Sequence, residues 1–414
     1  MTVDYSAAAR RITRTLFVVQ SLGSAARVAF FPIVAIAGAQ LSGRASWAGV
    51  PAMSYQIGIA MGAYAWGYLM DRLGRRGALI LGLVIGAMGA IVAASAIISA
   101  SFAVFLFGSA TIGAAVAALE LARFVSAEVH PPHERARAIS NVVLGGTMGA
   151  IFGPLLAGSA SELARRSGMN ELAAPYGISL ILFVTAAIVI FAFLRPEPRD
   201  LGRLIAAGDT GATLSGGPAR TIAEILSVRA AQVAVTSMVF GQLVMVMLMV
   251  ITPLHMRGHN HAITSISFVI SAHVVGMYGF SVISGRLADR WGRGPVIIAG
   301  ASILILACLS AILSPQVLPI SAALFLLGLG WNFCYVGGST LLADQLSPQE
   351  RARTQGFNDL LIGLASAAGG LGSGIVFAAI GYGAMGLVGA ATALIPLTMT
   401  AWWQTRARAV AVAG

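Results

Sequence analysis

The sequence predicts an all-α membrane protein with twelve transmembrane helices in two six-helix repeats, and three observations lead there. Of 414 residues, 57% are hydrophobic and only 10% are charged, whereas soluble globular domains carry about 25% charged residues. Mean hydropathy is correspondingly high, at +0.85. Twelve apolar stretches have the length of a bilayer span, and the two halves of the chain carry matching motifs. A soluble globular protein and a disordered chain are therefore excluded.

Each predicted span supplies the roughly 20 mostly apolar residues that a transmembrane helix needs. The spans are predicted at 16–40, 47–70, 77–98, 102–126, 138–160, 175–194, 231–254, 263–284, 294–313, 317–342, 355–379 and 382–403. The first is too long for the apolar core of a signal peptide and lacks a small-residue cleavage site, so we expect it to be retained. A polar, glycine-rich segment follows the sixth span. We therefore predict an N-terminal bundle (1–194), a cytoplasmic linker (195–229) and a C-terminal bundle (230–414).

Arginine sets the predicted orientation, because all 26 basic residues are arginine. Placing both termini in the cytoplasm puts 21 of them on that side, as the positive-inside rule requires. The protein is expected in a bacterial inner membrane, as a monomer in contact with anionic lipid. The net charge of +11 is thus a topology signal that needs no nucleic-acid partner. Cys308 and Cys334 lie in apolar runs and exclude both a disulfide scaffold and a cysteine-based zinc site.

Two motif pairs relate the halves. The segment that begins at Gly67 (GYLMDRLGRR) is matched 218 residues later by the segment that begins at Gly285 (GRLADRWGR). A second pair begins at Glu128 and at Asp344, 216 residues apart. Both pairs lie on predicted cytoplasmic loops, which indicates parallel six-helix repeats.

The first motif pair resembles the loop signature of the major facilitator superfamily, and the resemblance extends over essentially the whole chain. It implies a transporter with one central site that opens alternately to either side. Asp71 would lie against a helix N-terminus of the other half, where the helix dipole favours a carboxylate, and the arginines would close a charge network. The alternative is that these arginines only set topology. The predicted gating residues are Asp71, Arg72, Arg75, Arg76, Asp289, Arg290 and Arg293.

Few charged residues fall inside the spans, and such residues are by default functional candidates. Arg27 lies near the middle of span one, and Asp359 near the cytoplasmic start of span eleven. Glu120 and Arg123, three residues apart, are expected to pair along one face of span four. No acid lies at mid-depth, so a central proton-coupling carboxylate is poorly supported.

The fifth span contains GAIFGPLLAG, residues 149–158. It is similar to a G-x-x-x-G-P motif of antiporters, which makes drug or metabolite efflux a third possibility. The same spacing of small residues also allows close helix packing and a proline kink, and this is the favoured interpretation.

A methionine-rich pattern marks spans seven and eight, because five of the 15 methionines lie between residues 238 and 256. Depth counting predicts a ladder with Met245 level with His273, its rungs about one helical turn apart. Thioether and imidazole groups suit Cu(I) as a transported ion. The predicted ligands are Met245, Met249, His273 and Met277, with His255, His259 and His261 as an external capture site. Alternatively the methionines fill apolar gaps, as Met247 is expected to do.

The M-x-x-x-M and H-x-x-x-M motifs resemble those of the CcoA-type copper importers, and this resemblance implies the same four ligand positions. The wider group also includes riboflavin importers. Residues 328–338 and 358–359 resemble this group too, and Cys334 is their one obvious metal ligand, or else a small buried hydrophobe. Arg27 opposes copper because a fixed cation repels a cation, and it would favour an anionic or hydrogen-bonding substrate such as a flavin. Pairing with Glu120 would remove that objection.

The sequence therefore predicts an importer, with copper as the favoured substrate and riboflavin as the alternative. A receptor built on a transporter fold would show the same pattern and would bind without net uptake. No enzymatic activity and no resident cofactor are expected, because the sequence has no H-E-x-x-H motif and no paired mid-membrane aspartates.

Overall fold

The fold was analysed in a computed structural model, which describes residues 6–131, 134–208 and 220–413. Those residues form helices and their connections, without a strand. The first eight α-helices are α1 (Ser6–Ala29), α2 (Phe31–Ser42), α3 (Val50–Ile98), α4 (Phe102–Glu120), α5 (Ala122–Glu128), α6 (Arg135–Arg166), α7 (Ala174–Phe193) and α8 (Pro198–Gly208). A short 3₁₀ helix, Ala45–Trp47, lies between α2 and α3.

The remaining helices are α9 (Ile222–Ser227), α10 (Arg229–Gly258), α11 (Ile263–Tyr278), α12 (Ser281–Trp291), α13 (Arg293–Ala311), α14 (Val317–Ala343) and α15 (Pro348–Ala413). Several predicted spans are built from two helices in succession. The first span comprises α1 and α2, the fourth α4 and α5, and the eighth α11 and α12.

Two long helices each contain two predicted spans. Gly74 interrupts α3 with φ 77°, and Gly381 interrupts α15 with φ 78°. This backbone region is open to glycine and strained for residues with a side chain. In the described residues, ten stretches are long and apolar enough to cross a membrane. The twelve-helix fold predicted from sequence is confirmed, since α3 and α15 each cover two spans.

The chain divides into two compact units. The first unit is Met1–Gly43 with Val50–Thr213, and the second is Arg44–Gly49 with Leu214–Gly414. The segment predicted as a linker is partly helical, because it contains α8 and α9. Residues 209–219 of that segment lie outside the described residues.

The first unit is held together by close helix packing and by buried aromatic rings. Phe30 stacks on Tyr176 with ring centroids 5.3 Å apart, and both residues are buried. Along the contact of α1 with α6, a Cβ on Gly149 would lie 1.9 Å from the Ser21 carbonyl oxygen. The small residues of the antiporter-like motif are therefore required for packing, which supports the packing interpretation.

Candidate functional site

Arg27 and Glu120 form an ion pair inside the first unit. The Arg27 Nη1 donates to Glu120 Oε1 at 2.9 Å, and their side chains are 22% and 38% exposed. Arg27 also contacts the Ser24 hydroxyl at 3.5 Å. The fixed cation near the middle of span one is therefore neutralised by a carboxylate from span four.

The predicted pairing of Glu120 with Arg123 is wrong. Glu120 instead accepts from Arg27 of α1, although the backbone at Leu121, between α4 and α5, stays in the right-handed helical region. The Arg123 guanidinium lies over the Phe124 ring, 4.9 Å from its centroid, and its buried Nε has no partner.

The methionine pattern of span seven lies on α10. Met245 and Met249 are buried, at 4% and 9% exposure. Met247 is also buried and faces α15, because its Cε lies 3.5 Å from where a Cβ on Gly389 would stand. This position agrees with Met247 as a packing residue.

His273 lies on α11, which contacts both α10 and α14. Its ring is fully buried, and Nδ1 lies 2.8 Å from the Leu324 carbonyl oxygen on α14. Nδ1 therefore carries the proton and donates, since a carbonyl oxygen only accepts. Nε2 is left as a buried acceptor without a partner. Met277, one turn further along α11, is also buried.

The three histidines of the predicted external capture site do not form one cluster. His255 stacks on Tyr382 with centroids 4.0 Å apart, and its ring is 4.5 Å from that of His259. His261 Nε2 instead lies 2.9 Å from the Pro315 carbonyl oxygen. In the part of the chain that the structure describes, no three His, Cys, Asp or Glu side chains come together as a metal site.

A hydrogen-bonded group of aromatic and amide side chains joins α10, α11, α14 and α15 in the second unit. Trp331 Nε1 donates to Gln242 Oε1 at 2.7 Å, and Gln242 Nε2 donates to the Ser366 hydroxyl at 2.7 Å. Tyr335 stacks on Trp331 at 5.0 Å, and Tyr278 meets Trp331 edge-on at 6.1 Å. We call these five residues the aromatic–amide cluster.

Two buried asparagines flank this region with unused acceptors. Asn332 Nδ2 donates to the Met277 carbonyl oxygen at 2.7 Å, and Asn358 Nδ2 approaches the Met238 sulfur at 3.6 Å. The Oδ1 atom of each amide is buried and has no partner. Since buried polar atoms are nearly always bonded, both acceptors are candidates for a substrate donor. Asp359, beside Asn358, is exposed.

Sequence reasoning found only part of the aromatic–amide cluster. Trp331 lies in the segment 328–338, which resembles a transporter group, but the sequence gives this tryptophan no function of its own. Gln242 and Ser366 gave no signal, because a single amide or hydroxyl in an apolar helix is common. Only the fold brings the two residues together.

The first motif loop forms an arginine network in the first unit. Arg75 Nη1 binds Asp71 Oδ1 at 2.8 Å, and two further nitrogens bind Glu128 at 2.9 and 3.1 Å. Glu197 accepts from the backbone N–H groups of Arg75 and Arg76, at the helix start that follows Gly74. Glu197 is thus an acid at a helix N-terminus within this unit, while the position of Asp71 against a helix N-terminus of the other half stays a prediction.

In the part of the chain that the structure describes, the guanidinium groups of three predicted gating arginines, Arg72, Arg76 and Arg290, bind no carboxylate. The Arg72 guanidinium lies 4.3 Å from the centroid of the Tyr68 ring. Arg76 Nη2 donates to the Phe191 carbonyl oxygen at 2.6 Å. Arg290 is exposed. The charge network is therefore narrower than predicted and centres on one arginine.

The second unit has a corresponding network around Arg293. This residue binds Asp289 Oδ1 at 2.8 Å, Asp344 Oδ2 at 3.1 Å and the Ala288 carbonyl oxygen at 2.8 Å. Gly292, with φ 90°, precedes it as Gly74 precedes Arg75. The two motif pairs thus meet within each unit, because Arg75 binds Glu128 and Arg293 binds Asp344.

A separate buried acid lies at the start of α15. The Glu350 side chain is only 3% exposed, and Arg220 binds it through Nε at 2.9 Å and Nη2 at 2.8 Å. The Arg220 side chain, with the backbone N–H groups of Ser347 and Arg220, holds the pKa of the Glu350 carboxyl well below its usual range. Glu350 is therefore a carboxylate at neutral pH.

Comparison with known proteins identifies the family. The profile described as Major Facilitator Superfamily matches residues 16–256 and 233–413. The chain is 35% identical over 399 residues, 95% of this chain and 92% of the relative, to the uncharacterized MFS-type transporter YdeG of Bacillus subtilis (strain 168). It is 29% identical over 357 residues, 86% of either chain, to the riboflavin transporter RfnT of Brucella anthropi.

A solved structure, that of the nucleoside transporter NupG, shares the fold with a TM-score of 0.71 at 15% identity, covering 94% of this chain and 98% of that chain. The chain therefore belongs to the major facilitator superfamily and is a multi-pass membrane transporter that works by alternating access.

Proposed function

We propose that this transporter imports riboflavin or a closely related flavin across the bacterial inner membrane, with both termini in the cytoplasm. Its similarity to a riboflavin transporter over 86% of either chain supports the substrate class. The excess of arginine on the predicted cytoplasmic loops supports the orientation. No similarity reported above supports copper, which was the substrate favoured from sequence.

The aromatic–amide cluster is the observation that carries this proposal. A flavin ring is flat and presents alternating hydrogen-bond donors and acceptors at one edge. Trp331 and Tyr335 offer aromatic faces for stacking, and Gln242 offers an amide held by two hydrogen bonds. The unused Oδ1 acceptors of Asn332 and Asn358 would receive N–H or hydroxyl donors of the substrate.

Charge balance agrees with a neutral substrate. Riboflavin carries no net charge at neutral pH, so its binding requires no unpaired ionic group. The one arginine at mid-depth, Arg27, already has Glu120 as its counter-ion. Since the two opposite charges are only 2.9 Å apart, this half-buried ion pair has no net charge and gives little attraction for an anion or repulsion of a cation.

Uptake of labelled riboflavin into cells that lack their own importer tests the proposal. Gln242→Leu and Trp331→Phe are expected to lower uptake about five- to tenfold, because each removes a hydrogen bond that positions the ring. Trp66→Phe is the matched control, since the Trp66 indole also donates inside the protein, to the Ala114 carbonyl oxygen. Equal losses for Trp66→Phe and Trp331→Phe, or no riboflavin uptake by the wild type, would refute the proposal.

Copper is retained as a second candidate because of one observation, the unused Nε2 atom of buried His273. A neutral imidazole with a free nitrogen is a soft-metal ligand, and Met245 and Met249 are buried on the neighbouring helix α10. The pairing of Arg27 with Glu120 removes the electrostatic objection to a cation.

His273→Asn separates a ligand role from a structural role. The asparagine amide can donate to Leu324 in place of Nδ1, while nothing replaces Nε2. If copper is the substrate, this variant and the Met245→Leu and Met249→Leu variants lose copper uptake, whereas Met247→Leu retains it. Cell copper content at limiting supply measures the outcome. Wild-type copper uptake by all four variants would eliminate the methionine and histidine ligands, and copper uptake by the wild type no greater than that of cells without the protein would eliminate copper.

A further inference from the structure

A cavity of about 600 Å³ lies in the first unit, away from the residues discussed so far. The start of α1, the start of α6 and the end of α8 surround it. Its polar lining consists of three arginines, Arg10, Arg14 and Arg137, together with Ser6, Thr13, His130, Glu134 and Asn141. Proposals about the transport site use none of these side chains.

The three arginines differ from those of the loop networks in having no partner. Arg10, Arg14 and Arg137 form no hydrogen bond or ion pair in the described residues. Arg10 and Arg14 are four residues apart, so they project from the same face of α1. Glu134 is the one carboxylate in the lining, and it leaves the cavity with an excess of positive charge.

Of two buried polar residues in the same lining, Thr13 points to a ligand. Thr13 is 6% exposed, and its hydroxyl has no hydrogen-bond partner. Thr15, only two residues away, instead donates to the Arg11 carbonyl oxygen at 2.9 Å. His130 is 8% exposed, and its Nδ1 lies 2.9 Å from the Ser126 carbonyl oxygen. A ligand in the cavity would satisfy the Thr13 hydroxyl, which has no partner among the described residues.

An apolar groove adjoins the cavity and identifies the kind of ligand. The groove has a volume of about 590 Å³ and shares Arg10 and Arg14 with the cavity. Arg11, whose guanidinium donates to the Arg195 carbonyl oxygen, and Thr15 also line it, and the groove continues along Val18, Val189 and Phe193, between α1 and α7. An ionic end joined to an apolar channel matches a phospholipid, whose phosphate and acyl chain have the same arrangement.

We propose that the first unit binds an anionic phospholipid, with its phosphate among Arg10, Arg14 and Arg137 and an acyl chain in the adjoining groove. Guanidinium groups bind phosphate through paired N–H donors, and Thr13 supplies a further donor. Basic pockets on the cytoplasmic side of membrane helices are suited to anionic headgroups. Arg14 lines both the cavity and the groove, and it therefore lies where the headgroup of the lipid would meet the acyl chain.

Thermal unfolding of the detergent-purified, full-length protein provides the test. Phosphatidylglycerol is titrated in mixed micelles, with zwitterionic phosphatidylcholine and inorganic phosphate as separate arms. We expect phosphatidylglycerol to raise the unfolding temperature at lower concentration than either. Each guanidinium group that binds the lipid phosphate contributes about a fivefold gain in affinity, so Arg10→Gln with Arg14→Gln should weaken the effect roughly 25-fold.

The matched control removes two other exposed arginines, through Arg286→Gln with Arg406→Gln, and should leave the lipid effect unchanged. Thr13→Val keeps the side-chain volume, so it should weaken lipid binding without lowering the unfolding temperature of the lipid-free protein. If the double variant does not fold, Arg10→Gln and Arg137→Gln are measured singly against the same fivefold expectation. Equal effects of the two lipids, an equal effect of inorganic phosphate, or retention of lipid binding by the folded arginine variants would overturn the proposal.

Discussion

The arginine networks of the two units occupy corresponding places in the sequence repeat, yet they are completed differently. Arg75 is 18% exposed, and two of its nitrogens bind Glu128. Arg293 is 25% exposed, and a single nitrogen binds Asp344, which is itself 49% exposed. The first network is thus better shielded from water. A charged hydrogen bond contributes more to stability when it is shielded from water.

Residues from the segment between the repeats account for a second difference. In the first unit, Glu197 contacts the backbone that begins the helix after Gly74. At the equivalent helix start in the second unit, the neutral Gln404 lies beside Gly294. Arg220 instead binds Glu350, whose repeat counterpart Glu134 is exposed. The repeated motifs therefore set the positions of the charged residues. Residues outside the motifs, such as Glu197 and Arg220, determine which of these positions gain a further polar contact.

The largest expected effect on stability separates Glu128 from Asp344. Glu128→Gln weakens a two-point contact with Arg75 and should cost about 1.5–3 kcal/mol of unfolding free energy. Asp344→Asn weakens one exposed contact and should cost only about 0.2–1 kcal/mol. Denaturation of both purified variants measures the difference. Equal losses would show that the two networks are energetically the same.

The next effect concerns acid stability in the second unit. Because the folded-state pKa of Glu350 is lowered, the stability from its ion pair is fully present above the unfolded pKa of about 4.3. That contribution is lost as pH falls through the lower, folded-state value. The unfolding temperature of the wild type should therefore exceed that of Glu350→Gln at pH 7 and approach it below about pH 4.

Glu134→Gln is the repeat-related control for this measurement. Its difference from the wild type should be smaller at pH 7, because the Glu134 side chain is exposed. A gap between wild type and Glu350→Gln that stays constant from pH 7 to pH 3 would contradict the buried-carboxylate interpretation.

A smaller effect tests the acid at the helix start. Glu197→Gln should reduce stability by about 0.3–1 kcal/mol, because a negative charge near a helix N-terminus is favourable. The reciprocal change Gln404→Glu should add a similar amount to the second unit. Measurements at low and high salt check the assignment, since salt screens such interactions. A gain in stability for Glu197→Gln together with a loss for Gln404→Glu would rule out this role of the acid at the helix start.

The smallest effect on stability is expected for the acids of the loop motif. Asp71 and Asp289 are 74% and 75% exposed, so Asp71→Asn and Asp289→Asn should fold normally. If these residues gate transport, uptake should nevertheless fall sharply in both variants at equal expression. Wild-type uptake would leave the motif with a role in topology alone.

The fold was predictable because the bilayer restricts it strongly. Runs of about 20 apolar residues permit few structures other than spanning helices. The repeat offset then divided the chain into halves. The exact point where one span gives way to the next is harder to predict, since a single non-helical residue, Gly74, separates the two helical segments of α3. Spacing along one helix also does not decide that Glu120 pairs with Arg27 rather than with Arg123.

The candidate site was less predictable, for a physical reason. Spacing along one helix identifies residues that share a face, as it did for Met245 and Met249, but it gives no partner on another helix. The pairing of Arg27 with Glu120 was foreseen as one of two alternatives because both are costly inside a membrane. Gln242 and Ser366 carry no such cost, so only their hydrogen bonds identify them.

The contact of α1 with α6 limits how the first unit can deform. A Cβ on Gly153 would lie 2.6 Å from the Ala25 carbonyl oxygen, just as Gly149 meets Ser21. Sliding α6 by a single residue would bring Ala150 or Phe152 toward these carbonyl groups, where no Cβ fits. We therefore expect α1 and α6 to keep one relative position and to move together as a rigid unit. Elastic motion during the transport cycle should be concentrated in helices that lack such backbone contact.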